Sequence, residues 1–303
     1  MLLKNEQYDN ILITTKEEWE LRKIALITDS SCDLNLSTIK EHNIKMLPLR
    51  IIYKDREFLD KVTLTPKELY KTIREEIPTT SLPDLKYTKD VIEDVIEEGY
   101  TDAIVITVSS KLSGTYNSLR LLCEDYEKDL NFHFFDTRTL GFPQGAIVLE
   151  VAKMIEEKKD LDEILNSLED IRERTHGFIT FETLEFLKRG GRIGRVSGTI
   201  GEMLHLKPIV SSNDEGVLYT YAKTRGRKKA LSKMRGILEE YLDKGKCRVW
   251  ILSADCDEEA LEFLKNIKNH NNITEISLEE IGAGMGIHTG PGALGMCIYE
   301  EKN

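Results

Sequence analysis

The sequence is poor in the residues that build metal sites and covalent cross-links. Only 6 histidines and 5 cysteines occur among 303 residues, and no two cysteines form a CxxC pair. Neither a zinc ribbon nor a framework of disulfide bonds is therefore indicated. HExxH is absent as well, so we predict no metal site. No run of about 18 apolar residues occurs, which excludes a membrane-spanning helix.

Signatures of catalysis and of cofactor binding are also missing. The sequence contains neither the GxxxxGK[ST] phosphate loop nor the GxSxG nucleophile elbow. Gly290–Gly295 satisfies GxGxxG literally, but it lies too close to the C-terminus for the helix and acidic residue that dinucleotide binding needs. The motifs therefore indicate no catalytic nucleophile, and we predict no cofactor.

The charge balance limits the partners and the location. Lys and Arg total 42 against 53 Asp and Glu, a net charge of -11, which argues against nucleic acid as a partner. Residues 1–23 form a polar extension without the basic start and apolar centre of a signal peptide. We expect a cytoplasmic protein, and the role of the extension cannot be read from its residues. Hydrophobic residues make up 40% of the chain, as in a globular protein.

Short apolar runs alternate with helical patterns in the first half. Strands are predicted at 24–27, 44–52, 103–108 and 132–135, and helices at 88–98 with Thr88 as N-cap, at 116–127, 145–158 and 161–175. Thr65 and Pro66 predict the start of a further helix. This alternation is typical of a mainly parallel sheet covered by helices on both faces.

After about residue 175 the pattern changes. Strands are predicted at 178–181, 207–210, 217–221, 248–253 and 296–299, with helices at 184–188, 227–244 and 258–268. The fold class is α/β with two α/β domains. The predicted units are the extension 1–23, an N-terminal domain 24–174 and a C-terminal domain 175–303.

Hydroxyl-rich segments follow two of the predicted elements. Ser109–Thr115 comes directly after a strand and leads into a helix, where hydroxyl and backbone donors converge on a small anion such as a carboxylate. Gly114 lets a ligand approach the backbone. The alternative interpretation is that Ser113 and Thr115 only cap the helix. Pro78–Pro83, which contains Thr80 and Ser81, is predicted to be an extended loop, and a plain linker is its alternative.

Three further segments allow a functional and a structural interpretation. Asp29–Asp33 either binds a polar group or caps a helix. Gly190–Arg195 either holds an anion or ends a helix with solvated arginines. The glycine-dense segment Gly282–Gly292 indicates backbone packed closely against another segment or a ligand, and His288 within it either donates to an anion or is structural.

Taken together and in order, these segments resemble the DegV family of fatty-acid-binding proteins over residues 24–300. The segments that carry the resemblance are Ile27-Thr28-Asp29-Ser30-Ser31-Cys32-Asp33-Leu34, Thr79-Thr80-Ser81-Leu82-Pro83, Ser109-Ser110-Lys111-Leu112-Ser113-Gly114-Thr115-Tyr116, Leu184-Glu185-Phe186-Leu187-Lys188-Arg189-Gly190-Gly191-Arg192-Ile193, Leu206-Lys207-Pro208-Ile209 and His288-Thr289-Gly290-Pro291-Gly292-Ala293-Leu294-Gly295.

The resemblance implies a ligand tunnel between the two domains that buries a long-chain fatty acid such as palmitate. It implies that Thr80 and Ser113 contact the carboxylate, with the Gly114 N–H assisting and Arg225 and His288 near the head group. Secondary candidates for the same site are Ser81, Asp29 and Ser30.

The implied partner is a fatty acid kinase, which phosphorylates the bound acid to an acyl phosphate. The chain itself would then be a lipid carrier and not an enzyme, with transient contact to a membrane surface. Nothing in the resemblance fixes the acyl chain length, the oligomeric state or the identity of the kinase.

Two alternatives and one departure accompany this interpretation. The chain could be a lipid-responsive regulatory module, or a small-molecule hydrolase or phosphotransferase that uses Asp29 and His288. Where the family tends to have Gly-Gln-Gly, this sequence has Pro143-Gln144-Gly145, a change that alters a loop near the tunnel.

Overall fold

A computed structural model describes residues 22–194, 196 and 206–302. The predicted extension 1–23 therefore lies outside the described residues except for its last two, and so does Arg195. Within the described residues the strands are β1 (Ile24–Asp29), β2 (Lys45–Leu47), β3 (Leu49–Ile52), β4 (Glu57–Leu59), β5 (Thr79–Pro83), β6 (Asp102–Thr107), β7 (Asn131–Asp136), β8 (Thr175–Thr180), β9 (Ile209–Ser212), β10 (Leu218–Ala222), β11 (Cys247–Ser253), β12 (Ile273–Glu280) and β13 (Leu294–Glu300).

The helices of the same residues connect these strands. They are α1 (Leu36–Glu41), α2 (Pro66–Thr72), α3 (Leu85–Glu97), α4 (Thr115–Cys123), α5 (Phe142–Glu156), α6 (Leu161–Glu173), α7 (Glu185–Arg189), α8 (Arg227–Leu242), α9 (Asp257–Ile267) and α10 (Ala283–Thr289). Short 3₁₀ turns cover Ser30–Cys32 and Glu124–Tyr126.

The first half is built on a four-stranded parallel sheet with the order β2-β1-β6-β7. Its central strands β1 and β6 contain the apolar runs Ile24–Ile27 and Ala103–Ile106, as expected for strands buried on both faces. Leu26 and Ile104 face the core that contains α5, whereas Ile27 and Val105 face α3 and α4. The predicted parallel sheet with helices on both faces is confirmed.

Proline divides the strand that was predicted over residues 44–52. β2 pairs with β1 in the parallel sheet, whereas β3 lies between β4 and β5 in a separate antiparallel sheet. Pro48 stands between β2 and β3, and its missing N–H cannot continue a ladder. The single-strand prediction is wrong. The loop predicted at residues 78–83 is likewise a strand, β5.

The second half contains a mixed six-stranded sheet with the order β10-β9-β8-β13-β11-β12. One face carries Met296 and Val249 and packs on α8 and α9. The other face carries Val210 and Leu252 and joins the main core with α5. The edge strand β12 was not predicted. The two sheets and their helices form the predicted α/β fold, while the boundary near residue 174 stays a prediction.

Helix caps show where local signals succeed. Thr65 caps α2 through a capping box, since its N–H donates to Oε2 of Glu68 at 2.9 Å and its Oγ1 accepts from the Glu68 N–H at 3.3 Å. This start was predicted. For α3 the predicted cap Thr88 is wrong, because the Oδ1 of Asp84 accepts from the Tyr87 N–H at 2.9 Å and begins the helix earlier.

Candidate ligand-binding site

A narrow cavity lies between the carboxyl edge of the parallel sheet and the inner face of the six-stranded sheet. Its volume is about 110 Å³, whereas a single water needs roughly 10–15 Å³ on the same scale. Segments that follow β1, β6 and β7 reach it from one side, at Ser31, at Val108–Ser113 and at Thr139–Pro143. Ligands of doubly wound sheets bind at this edge.

Apolar residues form most of the cavity wall. They are Leu49, Val108, Leu112, Leu140, Phe142, Phe178, Ile179, Phe181, Leu187, Val210, Leu218, Leu252, Ile281, Met285 and Met296. They come from both halves of the chain, so folding of the two halves against each other creates the cavity. Such a wall favours an apolar ligand with few polar groups.

Thr80 and His288 meet at this wall. Oγ1 of Thr80 and Nε2 of His288 are 2.9 Å apart, within hydrogen-bond distance. Thr80 is fixed by the pairing of β5 with β3, where it stands opposite Ile51. His288 lies in the last turn of α10. The hydroxyl and the imidazole therefore form one polar point in an apolar cavity.

Ser113 brings a second hydroxyl to the wall. It lies in the turn before α4, where its N–H donates to the Ser109 carbonyl at 3.1 Å. Its Oγ is 2.8 Å from the Oγ1 of Thr115, so it contributes to the helix start and also faces the cavity. Gly114 is the N-cap of α4 and is exposed. It is not part of the wall.

His288 is held as a neutral imidazole. Burial, together with the nearby Arg192 guanidinium, lowers its pKa to about 4. Its Nδ1 is buried without a hydrogen-bond partner. Gly190, the C-cap of α7, packs directly on the ring, and a Cβ at this position would overlap Nδ1. The ring is therefore fixed between Thr80 and the end of α7.

Arg192 is a wall residue that the predicted site set did not include. Its Nε donates to the Leu112 carbonyl at 3.3 Å and its Nη1 to the Gly190 carbonyl at 2.5 Å. The guanidinium therefore links the Ser113 turn to the end of α7, beside His288. The basic glycine-rich segment at residues 190–195 was the available signal, although helix termination explained it equally well.

Asp29 and Ser30 serve the scaffold. The Asp29 carboxylate accepts hydrogen bonds from the Val108 N–H at 2.9 Å and the Ser31 N–H at 3.0 Å, and burial raises its pKa. The Ser30 hydroxyl donates to Oδ2 of Asp60 at 2.7 Å. Both residues are buried and outside the cavity wall.

The structure does not bring Arg225 or Ser81 to the cavity. Arg225 is exposed and its backbone bridges that of Leu206. Ser81 pairs with Arg50 across β5 and β3, and successive side chains of a strand point to opposite faces. It therefore faces away from the side that Thr80 occupies.

Buried carboxylates from the first half hold the start of α10. Oδ1 of Asp33 accepts from the Gly282 N–H at 2.9 Å, and Oδ1 of Asp60 accepts from the Gly284 N–H at 3.0 Å. A Cβ on Gly284 would lie 2.6 Å from Oδ2 of Asp60, so glycine permits this approach. Burial raises the pKa of Asp33 to about 7, an effect that the Lys61 ammonium opposes. The glycine-dense segment is therefore a helix packed against carboxylates.

Two further features are missing from residues 22–194, 196 and 206–302. Across these ranges no three His, Cys, Asp or Glu side chains are grouped as a metal ion requires. In the same part of the chain, no helix combines the length and the hydropathy needed to cross a bilayer.

Known proteins are similar to this chain in sequence and in fold. The family model DegV, whose description reads "Uncharacterised protein, DegV family", matches residues 23–301. The DegV domain-containing protein CPE2509 of Clostridium perfringens is 47% identical over 281 residues, which cover 93% of this chain and 100% of the relative.

Solved structures agree with the sequence comparison. A DegV family protein from Thermus thermophilus, described by its fatty acid binding, is 29% identical with a TM-score of 0.86 and covers 92% of this chain and 100% of its own. A stearic acid-binding protein from Eubacterium ventriosum is 26% identical with a TM-score of 0.83 and covers 92% and 98%. Since the family model and the relative both span nearly the whole chain, this chain belongs to the DegV family.

Proposed function

We propose that this chain binds a long-chain fatty acid such as palmitate, with the tail in the apolar cavity and the carboxylate at Thr80 and Ser113. The observation that carries the proposal is the contact of Thr80 with His288 in a wall that is otherwise mostly apolar. Structural neighbours with the same fold are described as fatty acid binding or stearic acid binding, which supports the same ligand class here.

The energetics fit a ligand of this kind. Burial of a methylene contributes about 0.8 kcal/mol, so a tail of roughly 16 carbons offers about 12 kcal/mol before the entropy of association is subtracted. The head group then needs satisfied hydrogen bonds, because an unpaired buried carboxylate costs several kcal/mol.

The polar groups at the wall can meet that need. The hydroxyls of Thr80 and Ser113 are donors, and the guanidinium of Arg192 supplies a positive charge beside His288. The Gly114 N–H at the start of α4 is a further donor close to Ser113. Arg225, exposed on the surface, would act on the head group only from outside the cavity.

We further propose that the chain presents the acid to a fatty acid kinase in the cytoplasm, with transient contact to a membrane surface. The Ser113 turn supports this, since the adjacent Gly114 is exposed and leaves the head group within reach of another protein. The kinase would transfer a phosphoryl group from ATP to a carboxylate oxygen, giving an acyl phosphate and ADP. This chain would contribute no catalytic residue.

The rival enzymatic function finds less support. Asp29 would be its acid or nucleophile, yet Asp29 already accepts backbone hydrogen bonds and lies outside the wall. A regulatory module that only senses the lipid would share the binding site. Acyl phosphate formation with purified kinase distinguishes this regulatory module from the proposed carrier, because a lipid sensor would not support the reaction.

Two measurements test the binding itself. Mass spectrometry of an organic extract of purified protein should detect a long-chain fatty acid in near-stoichiometric amount. Displacement of a fluorescent fatty acid by palmitate should be saturable. Protein that carries no lipid and shows no displacement would contradict the proposed function.

A further inference from the structure

The first turn of α5 forms part of the cavity wall, with Gly141, Phe142 and Pro143. Its position relative to His288 follows from two contacts of Asp33. A Cβ on Gly141 would lie 3.4 Å from Oδ2 of Asp33, and Oδ1 of Asp33 accepts from Gly282 at the start of α10. His288 is six residues further along that segment, about 9 Å at the rise of a helix.

The course of β8 also places this part of the wall relative to His288. Gly177 in β8 and Phe181 directly after β8 both line the cavity, and four residues of extended chain span about 13 Å. Beyond Phe181 the chain enters α7, whose C-cap Gly190 packs on His288. Gly177 therefore lies towards the end of the cavity that is away from His288.

Pro143 occupies the space above Gly177. A Cβ on Gly177 would lie 2.5 Å from Cγ of Pro143 and 3.5 Å from its Cβ. The proline ring therefore covers the part of β8 that glycine leaves bare. The turn is supported from behind, since the ring of Phe142 packs on Trp250 with 5.3 Å between ring centroids. Phe142 also lines a second cleft.

We propose that Pro143, seated on Gly177, is the end stop of the cavity and sets the greatest length of acyl tail that the protein buries. This proposal rests on the proposed fatty acid binding. A tail that reaches the ring would have to leave its remaining methylenes unburied. Each of them would forgo a factor of about four in affinity, which corresponds to about 0.8 kcal/mol.

Pro143→Ala tests the end stop. The change removes Cγ and Cδ and keeps Cβ, and alanine suits the first turn of a helix. Dissociation constants are measured for palmitate, stearate, arachidate and behenate by displacement of a fluorescent fatty acid. The longest acid bound without loss of affinity should lengthen, with arachidate favoured over palmitate by about fourfold or more relative to the wild-type ratio. Pro66→Ala is the matched control, since Pro66 opens α2 outside the cavity wall, and its profile should equal that of the wild type.

Gly177→Ala tests the same contact in the opposite direction. Its Cβ would push the ring towards the cavity, so the profile should shift to shorter acids. In the double variant Pro143→Ala with Gly177→Ala, the new Cβ of residue 177 lies 3.5 Å from the Cβ position of residue 143, which is an ordinary contact. The chain-length profile should therefore return towards that of the wild type. Since the variants act in opposite directions, one that fails to fold leaves the other informative.

The outcomes separate the two proposals. Wild-type protein that binds none of the acids would overturn both the proposed function and the end stop. Wild-type protein that binds palmitate, with variants whose length profile is unchanged, would overturn the end stop alone.

Discussion

Thr80 and His288 are 208 residues apart in the sequence, yet Oγ1 of Thr80 and Nε2 of His288 lie 2.9 Å from each other at the cavity wall. Thr80 belongs to the small antiparallel sheet of the first half, and His288 belongs to α10 of the second half. The polar point of the candidate site therefore exists only when both halves have folded against each other.

Replacing the two hydroxyls should weaken ligand binding. In the variant Thr80→Ala with Ser113→Ala the carboxylate loses two donors, and we expect the affinity for palmitate to fall tenfold or more, about 1.4 kcal/mol. Fluorescent fatty acid displacement measures this. Thr79→Ala is the control, because Thr79 is the exposed neighbour on β5 and points to the opposite face. Equal affinity of the double variant and the wild type would refute the assigned contacts.

His288 should make the protein less stable in mild acid. Its folded-state pKa of about 4 lies below the ordinary value of 6.5, so the unfolded chain binds the extra proton first as the pH falls. The contribution is complete above about pH 6.5 and is lost towards pH 4, by up to about 3 kcal/mol. Denaturant unfolding of His288→Gln should show a correspondingly smaller loss over this range.

Other groups titrate in both proteins and cancel from that comparison. Burial lowers the pKa of His176 as well, but that residue is unchanged in the variant. Arg192→Gln gives an independent check, because removal of the guanidinium charge should raise the pKa of His288 in an NMR titration. A curve for His288→Gln parallel to the wild type at every pH would show that His288 does not titrate as stated.

Asp33→Asn should be better tolerated than Asp33→Ala. The asparagine Oδ1 can still accept from the Gly282 N–H, whereas alanine leaves that buried N–H unpaired at a cost of about 1–3 kcal/mol. Asp33 has a folded-state pKa of about 7, above its ordinary value of 3.8. Its contribution is therefore complete below about pH 4 and is lost as the pH rises through 7.

Denaturant unfolding between pH 4 and 8 tests both statements about Asp33. The asparagine variant should lose this part of the pH dependence, and its stability relative to wild type should be highest at the upper end of the range. An asparagine variant as unstable as the alanine variant would show that the hydrogen bond to Gly282 is not retained.

Gly190→Ala should disturb the site through His288. Its backbone is helical, so alanine is allowed there, but the new Cβ would overlap the imidazole and displace it from Thr80. We expect about tenfold weaker palmitate binding. Gly236→Ala in α8 is the matched control, since nothing lies within 4 Å of its Cβ position. It should raise the free energy of unfolding by about 0.5–1 kcal/mol and leave binding unchanged.

The sequence predicted those elements whose signals are local. The apolar runs of β1 and β6 and the helix start at Thr65 and Pro66 are properties of a few adjacent residues, and the structure has the predicted element at each place, with strand bounds shifted by one or two residues. Family resemblance selected Thr80, Ser113 and His288, all of which line the cavity. It also selected Arg225, which the fold leaves on the surface.

Contacts between distant segments could not be predicted. Nothing near Asp33 or Asp60 in the sequence indicates that their carboxylates accept from Gly282 and Gly284, because these partners lie more than 200 residues away. The glycine-dense segment was expected to pack closely, but its helical form depends on this tertiary environment. Arg192 was missed for the same reason, since only the fold turns it towards the cavity.

The hydrogen bonds of Asp33 and Asp60 to the start of α10 have a consequence for how a ligand enters and leaves the cavity. Separation of the two halves of the chain would break both hydrogen bonds and leave the N–H groups of Gly282 and Gly284 without their acceptors. Side-chain motion around the Arg192 guanidinium needs neither bond to break. We therefore expect the ligand to enter and leave through a small opening in the cavity wall, while the two halves of the chain stay in contact.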